Sequence, residues 1–278
     1  MNIAKLEQYG LLQLSGEDAR AFLHAQLTND IEHLAPAAAR YAGWCSAKGR
    51  LLATFLVVPS PGGFLLQLSR DLVPTVAKRL SMFILRSKVK IADASALWAQ
   101  YGLWDAGVGD PLAVTESGDA TTVRIDADRS LVLVPEPSAG RYTANVPAED
   151  WALAEIRAGR PLIVQSTQDQ FVPQMVNFEM AGGVDFKKGC YPGQEVVARA
   201  QYRGAVKRRM YHLRGAALQP GQDLYSDDMP GQASGTVVNA AGDESLAVLQ
   251  LSAVEGGSPI RVQPQASALE ILPLPYSQ

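Results

Sequence analysis

The sequence predicts an α+β fold with two or three subdomains. Apolar patterns of the strand and helix types alternate along roughly the first 200 residues without the regular strand–helix–strand rhythm of a doubly wound sheet. A chain of 278 residues also exceeds the size at which one hydrophobic core usually stops growing. After residue 209, short apolar runs recur at about ten-residue spacing between Gly, Pro, Asp and Ser, which is typical of a small antiparallel barrel or sandwich.

The elements of the first region follow from apolar periodicity and from turn residues. Residues 15–18 form a helix N-cap signal, and a helix ending at Gly159 is followed by proline. Turn signals at Lys48-Gly49 and 59–63 separate three strands and indicate a meander. The strands are predicted at 9–14, 41–45, 51–58, 64–68, 88–92, 98–103, 123–125 and 130–134, and the helices at 15–26, 71–83, 148–158 and 194–203.

The texture of the sequence changes near residues 204–209. Further strands are predicted at 210–213, 235–238, 246–251, 260–262 and 268–272. We therefore place a domain boundary here, which divides the chain into residues 1–204 and 205–278.

Composition excludes several classes of protein. Hydrophobic residues make up 47% and charged residues 19% of the chain, which is ordinary for a globular protein. The longest apolar run, 51–58, is far shorter than the roughly 20 residues of a membrane helix, so we expect no membrane partner and a cytoplasmic location. Two cysteines and three scattered histidines supply neither a disulfide framework nor a metal site. Motifs of nucleotide-binding, dinucleotide-binding and hydrolase sites are absent from the sequence.

Residues 187–195 are the most informative segment, because they place a thiol beside two cations and a tight turn. Its candidate functional residues are Lys188, Gly189, Cys190, Tyr191, Gly193, Gln194 and Glu195. The turn leads into the predicted helix 194–203, so Cys190 is expected just before a helix N-terminus, where the helix dipole and the ammonium groups favour thiolate over thiol. The alternative is that Cys190 is a small buried hydrophobe. The polar, glycine-rich flanks favour the functional role, which makes Cys190 the candidate catalytic residue.

The same region carries a concentration of positive charge. Residues 187–209 contain seven cations and one acid, a local charge of about +6 on a chain whose formal net charge is −3. Such a segment suits a polyanion, either a phosphate backbone, as in tRNA, or the carboxylates of a glutamylated cofactor. The alternative is a solvated helix face followed by a basic loop. The cations are Lys187, Lys188, Arg199, Arg203, Lys207, Arg208 and Arg209.

Residues 171–186 lead directly into this segment and resemble the wall of a pocket. They are rich in side chains that can make paired amide hydrogen bonds, Gln174 and Asn177 among them. Similar combinations also occur in structural loops, so the signal is a weak one by itself.

The longest match to a known pattern runs from residue 171 to residue 209. It consists of Pro173-Gln174, Asn177, Gly182-Gly183, Lys187 to Glu195, Ala198-Arg199, Tyr202-Arg203-Gly204 and Lys207-Arg208. This pattern closely resembles the signature region of the YgfZ family, folate-binding relatives of the glycine-cleavage aminomethyltransferase. Similar elements at 26–30, 45–50, Trp151, 158–161 and 272–277 extend the resemblance over essentially the whole chain.

The resemblance implies two intertwined α+β domains within residues 1–204, a C-terminal β-barrel, and a central opening that holds tetrahydrofolate or a derivative. Family members support assembly or repair of iron-sulfur clusters in client enzymes, including a radical enzyme that methylthiolates tRNA, and the thiol corresponding to Cys190 is the residue most closely tied to that role. Aromatic folate contacts align with Tyr9 and Trp151. Where the family can carry Trp, Tyr9 keeps a ring for stacking but loses the indole N–H. Gln174, Asn177 and Arg199 are further candidate folate contacts.

One departure from the aminomethyltransferase concerns the chemistry. That enzyme resembles this chain around residues 46–55 but carries a catalytic Asp there, whereas this stretch contains no carboxylate. Loss of such a group typically removes about 10²- to 10⁴-fold in rate, so glycine cleavage is not expected. Three functions stay open at this point: a folate-dependent cluster-maintenance factor acting through Cys190, a non-catalytic RNA- or protein-docking module acting through residues 199–209, and a thiol redox enzyme. Whether the protein is an enzyme is also open.

Overall fold

The computed structural model describes residues 1–104, 109–204 and 206–276. The helices are α1 (Ala19–Gln26), α2 (Val73–Ser81), α3 (Ala148–Arg157), α4 (Gln194–Tyr202) and α5 (Leu251–Glu255). The strands are β1 (Asn2–Lys5), β2 (Tyr9–Ser15), β3 (Arg40–Cys45), β4 (Leu51–Ser60), β5 (Gly63–Ser69), β6 (Lys90–Asp93), β7 (Trp98–Trp104), β8 (Val114–Ser117), β9 (Ala120–Arg124), β10 (Arg129–Pro135), β11 (Arg208–Arg214), β12 (Asp223–Ser226), β13 (Gly235–Ala241), β14 (Glu244–Gln250), β15 (Ile260–Arg261) and β16 (Glu270–Leu272). Among the described helices, none is long and apolar enough to cross a membrane.

The strands form three sheets, and every described strand pair is antiparallel. Sheet 1 has the order β3-β4-β5-β2-β6, sheet 2 the order β1-β7-β10-β9-β8, and sheet 3 the order β15-β12-β13-β14-β11-β16. The chain starts in sheet 2 with β1, builds sheet 1, and returns to sheet 2 at β7. Sheets 1 and 2 are therefore interleaved along the sequence, while sheet 3 is a nearly closed barrel.

Sheet 1 is buried on both faces, which explains the continuous apolar run of β4. Side chains alternate across a strand, so Phe55 and Val57 enter one core, with α1 and α2, while Leu56 and Val58 enter a second core against sheet 2. A strand covered on both faces reads as an unbroken apolar segment. Sheet 1, held between the two cores, provides one wall of the cavity described below.

The barrel packs onto the first core and is tied to α3. Met210, Val238 and Val248 belong to the same buried cluster as the residues of sheet 1. Glu244 of β14 accepts a hydrogen bond of 2.7 Å from the Arg157 guanidinium of α3. All strands of the barrel lie after residue 207. The boundary at residues 204/205 remains a prediction, and Ala205 itself lies outside the described residues.

The predicted α+β class and C-terminal barrel are confirmed. Three short strands escaped prediction, β1, β8 and β12, because short strands with several exposed residues give little apolar alternation. The helix predicted at 71–83 begins as a 3₁₀ turn and ends at Ser81. The strand predicted at 246–251 ends at Gln250, and the next residue opens α5. Ser277, at the end of the family-like closing segment, lies outside the described residues.

Candidate functional site

Tyr9 and Trp151 meet in a cavity lined by sheet 1, α3 and three loops. Tyr9 begins β2, and Trp151 lies near the start of α3. Only 7% of Tyr9 and 3% of Trp151 is exposed. Burial raises the pKa of Tyr9, so the ring is a neutral phenol. The two aromatic residues indicated by the family resemblance are thus brought together.

The cavity combines flat apolar walls with a few polar groups. Its polar lining consists of Thr54, Gln67, Glu155 and Arg160, together with the hydroxyls of two tyrosines, and the rest is aromatic or aliphatic. Its volume is about 40 Å³, which is room for water molecules only. A planar heterocycle can enter only if side chains in the wall move.

The ring of Trp151 is held from several sides. A Cβ at Gly102 of β7 would lie 2.2 Å from Cε3 of the indole, so glycine is required where the ring crosses this strand. Trp104 contacts the ring edge to face, with centroids 5.5 Å apart. The guanidinium of Arg129 lies 4.8 Å from the ring centroid in a cation–π contact.

Two carboxylates and two guanidiniums form a cluster beside the aromatic pair. Glu155 accepts contacts from Arg129 at 2.8 Å and from Arg160 at 2.7 Å, and Asp126 accepts from the same two residues at 2.6 and 2.9 Å. Burial acts to raise the pKa of Asp126, but hydrogen bonds from Arg129 and Arg160 outweigh it and lower the pKa to about 2. The cluster therefore fixes the charged wall of the cavity.

Residues 187–195, which contain Cys190, do not line this cavity and are anchored by Lys188. The Lys188 ammonium is buried and donates to the carbonyl oxygens of His24 and, at 2.8 Å, Leu27 at the end of α1. It also lies 4.9 Å from the centroid of the Tyr191 ring. Cations near a helix C-terminus satisfy its unpaired carbonyls. Burial nevertheless lowers the pKa of Lys188 to about 8.

Cys190 is exposed and does not line the cavity of Tyr9 and Trp151. α4 begins at Gln194 after Gly193, whose φ of 78° is left-handed, so Cys190 precedes the first helical residue by four positions. A Cβ at Gly193 would lie 2.4 Å from the carbonyl oxygen of Ser46. Glycine is therefore needed both for the turn and for close contact with the 46–49 loop.

The second thiol is of a different kind. Cys45 is 2% exposed at the end of β3, and burial raises its pKa to about 12. Both cysteines are free thiols. A buried, protonated Cys45 is a poor resolving partner for an exposed Cys190, which argues against a dithiol redox site.

Comparisons with known proteins decide the family. The chain is 32% identical over 307 residues to the tRNA-modifying protein YgfZ of Klebsiella pneumoniae (strain 342), covering all of this chain and 93% of that protein. It is 30% identical over 305 residues to the protein of the same name from Escherichia coli O127:H6, covering 94% of it. The chain belongs to the YgfZ family. No protein-family model matches the chain.

The fold of this YgfZ family member agrees with the relationship to aminomethyltransferases. Its structure superposes on the glycine cleavage system aminomethyltransferase T of Bartonella henselae with a TM-score of 0.77, covering 99% of this chain and 85% of that one. The sequence identity is 14%, so the likeness concerns the fold. The three-part architecture expected from the sequence is that fold.

Gln174 and Asn177 are placed differently from Tyr9 and Trp151. Both are completely buried. The Gln174 amide donates to the carbonyl oxygen of Val197 in α4, and the Asn177 amide donates to that of Met210 in β11, each at 2.8 Å. Neither residue lines the cavity. Their amides brace α4 and the barrel against the preceding loop, and this geometry favours a structural role over contact with folate.

The basic segment does not form one patch. Lys188 points at α1, and Arg209 donates to the carbonyl oxygen of Gln174 at 2.8 Å and pairs with Glu179. Arg208 is half-buried at the start of β11. The exposed cations are Lys187, Arg199, Arg203 and Lys207. Arg199 lies on this surface, away from the cavity, with its side chain 73% exposed.

Sequence reasoning missed the charged cluster. Glu155 follows Trp151 by one helical turn, a spacing that puts both on one face of α3, so this position carried a usable signal. Asp126 and Arg129 carried no such signal, because they reach the site from the turn between β9 and β10. Their contact with α3 depends on the packing of sheet 2.

Proposed function

We propose that this protein binds tetrahydrofolate or a derivative and supports assembly or repair of iron-sulfur clusters in client enzymes, including radical enzymes that methylthiolate tRNA, with Cys190 as the key thiol. The observation that carries the proposal is the pairing of Tyr9 with Trp151 in one buried cavity. Both relatives are named as tRNA-modifying proteins, which supports a role connected with tRNA modification. The aminomethyltransferase fold is in keeping with folate as the ligand.

The chemistry of the cavity suits a pterin or a benzoate ring. Tyr9 and Trp151 supply flat apolar surfaces, while Thr54, Gln67 and Glu155 supply donors and acceptors for a heterocycle edge. Tetrahydrofolate would bring one-carbon units to the site. The volume of about 40 Å³ requires the wall to open first, so binding is expected to be coupled to a conformational change.

Aminomethyl transfer is not part of the proposal. The stretch 46–55 contains no carboxylate, and Leu52 and Ala53 are buried in the core. The carboxylate in the cavity, Glu155, is held by the guanidiniums of Arg129 and Arg160 at 2.8 and 2.7 Å. Its Oε1 atom is therefore engaged in ion pairs within the protein.

The position of Cys190 indicates how it would act. It is exposed and outside the cavity, so it meets its substrate at the protein surface while the folate is held between the sheets. The thiol would lose its proton to solvent and briefly ligate an iron ion supplied by a client, in place of a ligand that the iron gives up. Folate binding and thiol chemistry are therefore separable by mutation.

The test is anaerobic calorimetric titration with tetrahydrofolate of the wild type, Trp151→Phe, Trp44→Phe and Cys190→Ala. Trp151→Phe removes the larger indole surface and its N–H from the cavity lining and is expected to weaken binding about tenfold or more. Trp44→Phe is the matched control, because it makes the same change in the first core, outside the cavity. Cys190→Ala should bind like the wild type.

The thiol is tested in cells that lack their own copy of the protein. We expect Cys190→Ala to lose the methylthiolated tRNA nucleoside, measured by mass spectrometry, although the variant stays folded and binds folate. Absence of saturable binding by the wild type would refute the folate assignment. Full restoration of the nucleoside by Cys190→Ala would refute the role of the thiol.

The second candidate function is a non-catalytic docking module for RNA or protein. Four exposed cations on and around α4 favour it. Under this function, removal of those charges would abolish activity in cells while loss of the Cys190 thiol would not.

A further inference from the structure

Tyr202, the last residue of α4, is an aromatic side chain that the fold leaves in solvent. It is 70% exposed. Phe186 contacts its ring edge to face, with centroids 6.0 Å apart and planes at 70°. Phe186 in turn packs against the first core, so it restrains the ring without covering it. Tyrosine is enriched at binding interfaces, because its ring is apolar and its hydroxyl can hydrogen-bond.

Four exposed cations lie close in the sequence to Tyr202 or to Phe186, the residue that contacts its ring. Arg199 and Arg203 flank Tyr202 at the end of α4, while Lys187 adjoins Phe186, and Lys207 follows α4. Arg199 is paired only loosely with Glu195, at 3.4 Å between strongly exposed side chains. Among the described residues, no carboxylate forms an ion pair with the other three. These groups are available to bind anions.

The combination favours a nucleic acid strand over an acidic protein. Proteins that bind single strands combine cations that follow the backbone with aromatic rings on which bases stack. A protein partner would need a broad apolar contact, whereas the other exposed apolar residue of α4 is Val196, 40% exposed. Arg199 and Arg203 are one helical turn apart, a spacing of about 5–6 Å that suits neighbouring phosphates of an extended strand.

We propose that one surface of the protein binds an unpaired stretch of RNA, with one base stacked on Tyr202. This surface, called the α4 surface, consists of Tyr202, Arg199, Arg203, Lys187 and Lys207. This inference rests on the proposed connection with tRNA modification and adds the binding mode. α4 rises about 12 Å from Gln194 to Tyr202, so a strand of a few nucleotides spans it. The exposed Cys190 lies in the loop between Lys187 and the first residue of α4.

The test uses a fluorescein-labelled 12-nucleotide oligouridine RNA and fluorescence anisotropy over a series of salt concentrations. Tyr202→Ala is expected to raise the Kd about 5- to 100-fold, the usual effect of losing one stacking ring, while Tyr202→Phe stays close to the wild type. Arg203→Ala should weaken binding and reduce the slope of log K against log salt by about 0.7. Arg214→Ala is the matched control, an exposed arginine at the opposite end of β11 from Lys207.

Three results would overturn the inference: no binding by the wild type at low salt, equal binding by Tyr202→Ala and Tyr202→Phe, or equal affinity for a poly-glutamate peptide of the same charge. The last result would identify the α4 surface as a docking site for acidic proteins. Tetrahydrofolate titration of Tyr202→Ala separates this inference from the proposed function. If Tyr202→Ala loses RNA binding but binds folate like the wild type, the protein has two separate sites. If the wild type binds RNA but not folate, the proposed folate function fails while the inference about the α4 surface holds.

Discussion

Gly102 packs directly against the ring of Trp151, and this packing gives the prediction that can be tested most sharply. In Gly102→Ala the new methyl group would lie 2.2, 2.6 and 2.7 Å from three indole carbons, so the ring must shift. The Arg129 guanidinium and the Trp104 ring, which both contact the indole, oppose that shift. Overpacking of this kind typically costs about 1–3 kcal/mol, which corresponds to about 2–5 °C in Tm for a chain of this size.

The assay is thermal unfolding followed by tetrahydrofolate titration of each variant. Gly140→Ala is the matched control, since nothing lies within 4 Å of a Cβ built at that glycine. We expect Gly102→Ala to lower the Tm and to weaken folate binding, and Gly140→Ala to do neither. Trp151→Phe in the Gly102→Ala background should recover part of the loss, because a smaller ring leaves room for the methyl group.

A Gly102→Ala protein with the Tm and folate affinity of the wild type would refute this reasoning. It would mean that the Trp151 ring moves freely and is not fixed by its neighbours. Simple additivity of Gly102→Ala and Trp151→Phe would equally contradict the contact.

Three further predictions concern the surrounding structure. Glu244→Gln should cost about 1–3 kcal/mol at neutral pH by weakening the bond to Arg157. Hydrogen bonds from Arg157 lower the pKa of Glu244 in the folded protein. The stability that they give is therefore present above the unfolded pKa of about 4.3 and is lost as the pH falls through the folded pKa. A Tm difference between variant and wild type that does not shrink in acid would contradict this prediction. Asn177→Ala should lower the free energy of unfolding by about 1–3 kcal/mol, because it removes the hydrogen bond to the barrel. Calorimetry should show that the folded variant binds folate with the same affinity as the wild type. Iodoacetamide should label Cys190 and spare the buried Cys45 in the native protein, and mass spectrometry showing the reverse order would contradict the described burial.

Most of the fold could be predicted from local sequence. The continuous apolar run of β4 specifies its strand, because a strand covered on both faces is apolar at every position. The helix predicted from residue 15 begins at Ala19: Ser15 ends β2, and Asp18 makes no side-chain capping bond but accepts one from the backbone of Lys88. Gly193 likewise predicted a turn, and in the structure this glycine has a left-handed φ. Short strands such as β8 could not be found this way, since three of its four residues are exposed and it is recognised only by its partner β9.

Local sequence patterns are sufficient to predict the α+β class and the barrel, and the family resemblance adds Tyr9 and Trp151 as candidate site residues. Which of the charged side chains are available to a ligand depends on the tertiary structure. Lys187 and Lys188 are adjacent in sequence, yet the first is exposed and the second is buried against a carbonyl 164 residues away. In the same way Arg203 faces solvent while Arg209 pairs with Glu179. Periodicity shows which face of an element is apolar, but burial, ion pairing and pKa depend on which distant element covers that face.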